Sequence, residues 1–341
     1  EIGSGLVGSE MCIRDRPDSA PPIIRQTPNS SAKWGDCCFY INTDVAECDY
    51  WFVLDELNDT EKTICPSENL ILITGEPPYV KLYPHKYVDQ FSHVLTCQKN
   101  LLKREKACCS NPALPWMVGA KLKSLPAEWD MNNYLDYGFF CEEHALDKKD
   151  KIVVITSNKA MTKGHRQRLD LVLGLKERIP ELMDVYGAGF NKVDDKYDIL
   201  SMYKYSLVME NCRYWNYWTE KLADAYLSLT FPFYSGCPNL DSYFDKNAFE
   251  VLNLEDVDKM AVKIEDAIRN DLFSSRKNHI LSAKRDVLDK YNLFAMMSTY
   301  VSKNEIMSKK EVKTECTIQP LYRTFETRVR TRILKYWGWE I

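Results

Sequence analysis

Short apolar runs alternate with helical stretches twice along this 341-residue chain, and the rhythm breaks once, near residue 150. Cys37–Ile41, Tyr50–Val53, Leu70–Thr74 and His93–Thr96 read as buried strands because each is a brief apolar run bounded by polar or turn-forming residues. A stretch containing Pro and Trp, Asn111–Gly119, interrupts this pattern and opens an irregular region that ends near Asp150. A second series follows: a strand in Lys151–Asn158, a helix from about His165 to Arg178, and strands in Met183–Gly189 and Tyr205–Asn211. It continues with a helix in Thr219–Ser228, a strand in Thr230–Gly236 and an amphipathic helix over Asp256–Asn270. Strands alternating with helices demand parallel sheets covered on both faces. The sequence therefore predicts an α/β protein of two doubly wound, Rossmann-like domains facing a cleft. Neither half carries the G-x-G-x-x-G dinucleotide fingerprint.

The expected boundaries are residues 34–150 for the first domain and 151–300 for the second, with a tail over 301–341. Residues 1–33 are set apart. Their first sixteen, EIGSGLVGSEMCIRDR, lack periodicity and read as a tag or sequence-assembly scar, and a Pro/Ser-rich linker follows. Composition then narrows the function. At 45% hydrophobic and 28% charged the chain is not disordered, and a net charge of −4 argues against a basic nucleic-acid-binding surface. The longest apolar runs fall short of the roughly 18 residues of a membrane span. Twelve cysteines include two vicinal pairs, Cys37–Cys38 and Cys108–Cys109, but no C-x-x-C, and the five histidines add no metal spacing. Ordinary thiols are the simpler reading of the cysteines, a disulfide set the other.

Three segments carry residue types suited to chemistry. In Tyr203–Tyr226, a strand ends at Glu210 and Asn211, an aromatic loop follows, and Glu220 and Lys221 occupy the first turn of a helix. Ligands of open α/β sheets bind at carboxyl strand ends, and helix starts attract anions, so Lys221 can hold a phosphate and Glu220 a sugar hydroxyl. From spacing alone, a Thr219 cap with Glu220 complementing the helix dipole is the commoner arrangement. In Met161–Leu175, Lys163, His165, Arg166 and Arg168 crowd a helix start, a placement unfavourable for the dipole and suited to an anionic partner. In Leu70–Pro84, Glu76 follows Gly75 and precedes Pro77 and Pro78, which restrict its backbone. A carboxylate so held is a candidate general base, although an ordinary turn glutamate has the same pattern.

Together these segments resemble the fucosyltransferases of glycosyltransferase family 10. The resemblance rests on Tyr203, Lys204, Glu210, Asn211, Tyr217, Thr219, Glu220, Lys221 and Ala225, continues through Pro232, Gly236 and Pro238, and includes Arg166–Leu173 and Asp184–Gly187 upstream. It implies a glycosyltransferase fold of the B type and transfer of L-fucose from GDP-β-L-fucose, with inversion, to a hydroxyl of an N-acetylglucosamine- or glucose-containing glycan. It further implies Glu76 as the base, Arg166 and Lys221 as partners of the leaving diphosphate, and Asn211, Tyr217 and Glu220 as nucleotide or sugar contacts. No cofactor or metal is expected. Asp256-Val-Asp258 has the letters of a metal motif but sits where a helix cap belongs. Departures from the family pattern are Val208-Met209 before Glu210, and the bulky Trp215 and Trp218 flanking Tyr217, with Trp218 where a small β-branched residue is usual; these bear on the sugar pocket. The implied location is either the Golgi, through an amino-terminal anchor, or the bacterial cytoplasm and membrane periphery. Leu321, Phe325, Val329, Ile333 and Trp337 recur every four residues with Arg323, Arg328, Arg330, Arg332 and Lys335 interspersed, which predicts a basic C-terminal amphipathic helix, packed on the body or resting on an anionic membrane.

Overall fold

The computed structural model describes residues 9–14, 21–112, 115–124, 128–144, 147–158, 163–254, 256–304, 312–322 and 329. It divides into two compact units, one made of Glu1–Pro115, Asp136–Gly138 and Tyr291–Leu334, the other of Trp116–Leu135, Phe139–Lys290 and Lys335–Ile341. Both are built on parallel sheets, so the α/β class expected from the alternation is the one observed.

In the first unit, β1 (Glu10–Arg14), β2 (Lys33–Trp34), β3 (Cys37–Ile41), β4 (Tyr50–Leu54), β5 (Glu61–Cys65), β6 (Leu70–Ile73), β7 (His93–Thr96) and β8 (Ala107–Cys109) are the strands that precede the break in pattern. Seven of them form one sheet in the order β2-β3-β1-β4-β6-β7-β8, parallel except at β2. The strand β1 corrects the sequence reading. Glu10–Arg14 lies inside the segment that reads as a scar, yet it pairs with both β3 and β4, and Met11, Cys12 and Ile13 are buried. One face of the sheet is closed from far along the chain: Leu293, Phe294, Met297 and Val301 pack against Met11, Ile13, Phe39, Phe52 and Ile71.

The second unit opens with an antiparallel hairpin, β9 (Ala120–Ser124) and β10 (Glu128–Tyr134), where the sequence shows only irregularity. A five-stranded parallel sheet comes next, built from β11 (Lys149–Ile155), β12 (Met183–Tyr186), β13 (Tyr203–Met209), β14 (Phe231–Ser235) and β15 (Glu250–Val251) in the order β12-β11-β13-β14-β15. A last strand, β16 (Thr314–Ile318), returns to the first unit and pairs antiparallel with β5. The helices are α1 (His85–Val88), α2 (Tyr137–Cys141), α3 (Lys163–Arg178), α4 (Lys196–Leu200), α5 (Glu220–Leu227), α6 (Val257–Arg269), α7 (Leu272–Ser275), α8 (Lys277–Asp289) and α9 (Leu293–Asn304). Asp256 caps α6, its side chain accepting from the Lys259 N–H at 3.0 Å, as the sequence reading expects. None of the described helices is long and apolar enough to cross a membrane. The basic tail helix lies outside the described residues apart from Leu321, which packs against the first unit's core, Tyr322 and the exposed Val329.

Candidate functional site

The order β12-β11-β13 means that the chain winds one way from β11 and the other way from β13 onward. Such a switch point leaves a crevice beyond the carboxyl strand ends, because the two connections depart in opposite directions. The second unit has a cavity of about 370 Å³ there, lined by Val153–Ser157, Ser206–Met209, Asn211, Arg168, Lys196, Leu200, Glu220, Lys221, Asp224 and Ala225.

Beside the cavity, Glu210, the residue just past β13, ties the strand end to the start of α5. Its N–H extends the ladder to the Ser235 carbonyl at 2.9 Å, and its buried carboxylate accepts from the Thr219 N–H at 2.8 Å and the Thr219 hydroxyl at 2.7 Å. A carboxylate of β13 thus clamps the cap residue of α5, whose hydroxyl also accepts from the Lys221 N–H. Gly236 makes room for this: a Cβ there would overlap the Glu210 side chain. Burial pushes the Glu210 carboxyl up, against the pull of Lys221, whose Nζ lies 3.6 Å away.

Above this clamp stand the groups open to a ligand. Lys221 Nζ donates to Glu220 Oε1 at 3.0 Å and to Thr219 Oγ1 at 3.2 Å. Burial opposes ionisation of Glu220, but Lys221, with Lys196 behind it, outweighs that and brings the carboxyl down to about 2. Arg168 donates to Asn211 Oδ1 at 3.3 Å; burial lowers its pKa while Glu210 and Tyr217 raise it. Lys196 is held at 2.8 Å by Asp224, a carboxylate buried within α5. Asp224 also accepts from the Met117 and Val118 N–H groups at 2.9 and 3.1 Å, which fastens the segment leading into the hairpin. Three cations around one low-pKa carboxylate, beside the first turn of a helix, form an environment suited to a diphosphate next to a hydroxyl-bearing group.

Of the residues expected from sequence, Asn211, Glu220 and Lys221 line the cavity together. Tyr217 does not: it is fully buried beneath the loop. Nor does Arg166, which is exposed on α3, whereas Arg168 is at the cavity. Two residues along a helix turn the side chain by about 200°, so the two arginines cannot serve one face. Side chains of Lys163 and His165 lie outside the described residues. Trp218 is buried against Tyr243 and Phe244 and is not part of the cavity wall, which removes it from the groups that shape this site. Lys196 and Asp224 are not singled out by the sequence. The only available signal is an aspartate inside the apolar stripe of α5, a position that needs a partner cation when buried.

Glu76 belongs to the first unit, half-buried at the end of β6. Its surroundings are well fixed. The Gly75 N–H donates to the Tyr83 hydroxyl at 3.1 Å, and Gln98 Nε2 donates to the Glu76 and Lys81 carbonyls at 2.8 and 2.9 Å. Lys81 is buried between Asp55 Oδ2 at 2.5 Å and Glu56 Oε2 at 2.9 Å, and the Tyr83 hydroxyl donates to Asp55. Burial and then Asp55 push the Tyr83 phenol well up, so it stays a donor.

A doubly wound sheet with a cation-lined cavity at its switch point is the usual setting for an anionic ligand in an open α/β fold. Residues 145–273 match the C-terminal domain of glycosyltransferase family 10 (fucosyltransferase). A 61-residue stretch is 43% identical to the α-(1,3)-fucosyltransferase FucT of Helicobacter pylori, covering 18% of this chain and 13% of the relative's length. The chain is also similar to a solved α1,3-fucosyltransferase with GDP-fucose, at 16% identity and a TM-score of 0.46, covering 83% of this chain and 91% of that one. A glycosyltransferase structure from Rickettsia africae is similar at 9% identity and a TM-score of 0.49, over 89% of this chain and 99% of that one.

Proposed function

We propose that this protein transfers L-fucose from GDP-β-L-fucose to a hydroxyl of an N-acetylglucosamine- or glucose-containing glycan, with inversion at the sugar. The observation that carries the reading is the grouping of Lys221, Arg168 and Lys196 around Glu220, at a sheet switch point within the segment that matches family 10. As the bond from the fucose anomeric carbon to the diphosphate breaks, negative charge grows on the departing phosphate oxygens. Fixed cations and the first turn of α5 stabilise that charge without rearranging, worth a few kcal/mol per well-placed group. Arg168 takes the part expected of Arg166, because it shares the cavity with Asn211 and Lys221. Glu220, kept ionised, accepts hydrogen bonds from ribose or fucose hydroxyls. Tyr217 acts through the loop it supports. Glu76 serves as the base that removes the acceptor hydroxyl proton; a direct displacement needs one such base and no second catalytic carboxylate. The diphosphate is neutralised by side chains and the helix start, so the chemistry calls for no metal.

Calorimetric titration with GDP-fucose, GDP-mannose and UDP-sugars, on wild type and on Lys221→Ala, tests this. The expected result is selective GDP-fucose binding, weakened tenfold or more by Lys221→Ala. Equal binding of all donors removes the donor assignment in favour of another nucleotide sugar. Binding of GDP-fucose without turnover on any glycan leaves a non-catalytic relative.

A further inference from the structure

After the Thr74 N–H, which donates to the Leu95 carbonyl at 3.0 Å, the backbone leaves the sheet of the first unit and runs into Gly75, Glu76, Pro77 and Pro78. The two prolines have no N–H to give. A buried stretch of backbone must still pair its polar groups, and two side chains do so here. Tyr83, buried, meets the donors. Its oxygen accepts from the Gly75 N–H at 3.1 Å, the Glu76 N–H also faces that oxygen, and its own hydrogen goes to Asp55. One donor and two acceptor positions are all that a hydroxyl has, so this one is full. Gln98, fully buried, meets the acceptors: its Nε2 donates to the Glu76 carbonyl at 2.8 Å and to the Lys81 carbonyl at 2.9 Å. Turning the amide over would set its oxygen against both carbonyls, so the hydrogen bonds fix its orientation. Its Oε1 is then buried without a partner among the described residues. An unpaired buried acceptor costs stability, so stability alone does not account for the two bonds that Nε2 makes.

We propose that Tyr83 and Gln98 are positioning residues for Glu76, holding its peptide groups on both sides so that its carboxylate keeps one bearing. The inference rests on the reading of Glu76 as the base. A base must come within about 2.6–3.2 Å of the hydroxyl whose proton it takes, and a misplacement of about 1 Å can cost on the order of 100-fold in rate. Pro77 and Pro78 stiffen the chain only after Glu76. Before it and at its own carbonyl, the restraint comes from Tyr83 and Gln98, and both are anchored in turn. Asp55, which takes the Tyr83 hydrogen, is paired with the buried Lys81 at 2.5 Å. The Gln98 N–H donates to Thr96 Oγ1 at 3.0 Å, and the Thr74 hydroxyl donates to that same oxygen at 2.7 Å. The series of bonds thus closes on the residue from which the loop departs.

Initial rates of fucosyl transfer from GDP-fucose to a disaccharide containing N-acetylglucosamine, measured on the full chain, test this. Tyr83→Phe removes the hydroxyl and keeps the ring, while Gln98→Met keeps the length of the side chain without its donors. Each is expected to lower kcat about tenfold while KM for GDP-fucose stays within about twofold of wild type. A merely structural role would act whether or not the base is present, so the deciding variant combines Tyr83→Phe with Glu76→Gln. In that background loss of the hydroxyl is expected to change kcat by less than about twofold, since no base is left to aim. Wild-type kcat in either single variant, or the same tenfold loss in the Glu76→Gln background, overturns the positioning role and leaves Glu76 as the base. Glu76→Gln turning over like wild type removes the base reading, and the positioning role with it.

Discussion

The carboxyl strand ends of the two sheets differ in charge and in how tightly that charge is locked. In the first unit, Lys81 is wedged between Asp55 and Glu56, and Arg14 at the end of β1 is paired with Asp44 and Glu61. In the second, Arg168, Lys196 and Lys221 meet partners that still leave an open cavity, and Arg168 contacts a neutral amide. Similar parallel topology therefore carries locked ion pairs at one edge and cations facing an open cavity at the other. In a parallel α/β fold the ligand class is decided by the few residues just past each strand, not by the sheet.

The comparison breaks or sharpens under substitution. Glu76→Gln is expected to lower turnover by 10²- to 10⁴-fold, the range for losing a general base, while donor affinity measured by calorimetry stays at wild type; a change in donor affinity would mean that the two edges do not divide their work. Lys81→Met should destabilise the first unit by about 3–5 kcal/mol in urea titration, because Glu56 is left buried without its cation. The second edge is exposed by acid. Glu220 has its pKa lowered from the ordinary 4.5 to about 2, so its stabilisation is complete above about pH 4.5 and is lost as pH falls towards 2. That loss amounts to about 3 kcal/mol, and Glu220→Gln should flatten it in pH-dependent melting curves. Glu210 acts in the opposite sense, being raised by burial and also by the Glu220 charge. Thr219→Ala, which removes a helix cap and a donor to Glu210, should cost about 1–2 kcal/mol in the same measurement.

Legibility in the sequence tracks how continuous each apolar run is. Leu70–Ile73 and the Ile152–Ile155 end of β11 are unbroken stretches of large aliphatic residues, which only a buried strand or core helix tolerates, and both are strands. Glu10–Arg14 has three apolar residues between charges, too little pattern to separate from noise, and the partly exposed hairpin of Glu128–Tyr134 has weak alternation. The site divides the same way. Glu220 and Lys221 stand out because a charged pair opens a helix directly after a strand and loop. Arg168 is visible in the sequence but its helical phase is not, which leaves Arg166 the more attractive of the two until the helix is seen. Lys196 lies on a five-residue helix whose sequence signals only the Asp195 cap, and nothing local ties it to Glu220.

The long return of α9 to the first unit sets an order of assembly. Leu293, Phe294, Met297 and Val301 cover one face of a sheet whose strands were made some two hundred residues earlier in the chain. During synthesis that face has no cover until the segment beyond Lys290 emerges, by which time every strand and helix of the second unit is already available. The second unit can therefore finish folding first although it comes later in the chain. A nascent protein stalled before α9 would carry a completed second unit joined to a bare apolar sheet, a species prone to capture by chaperones or to aggregation.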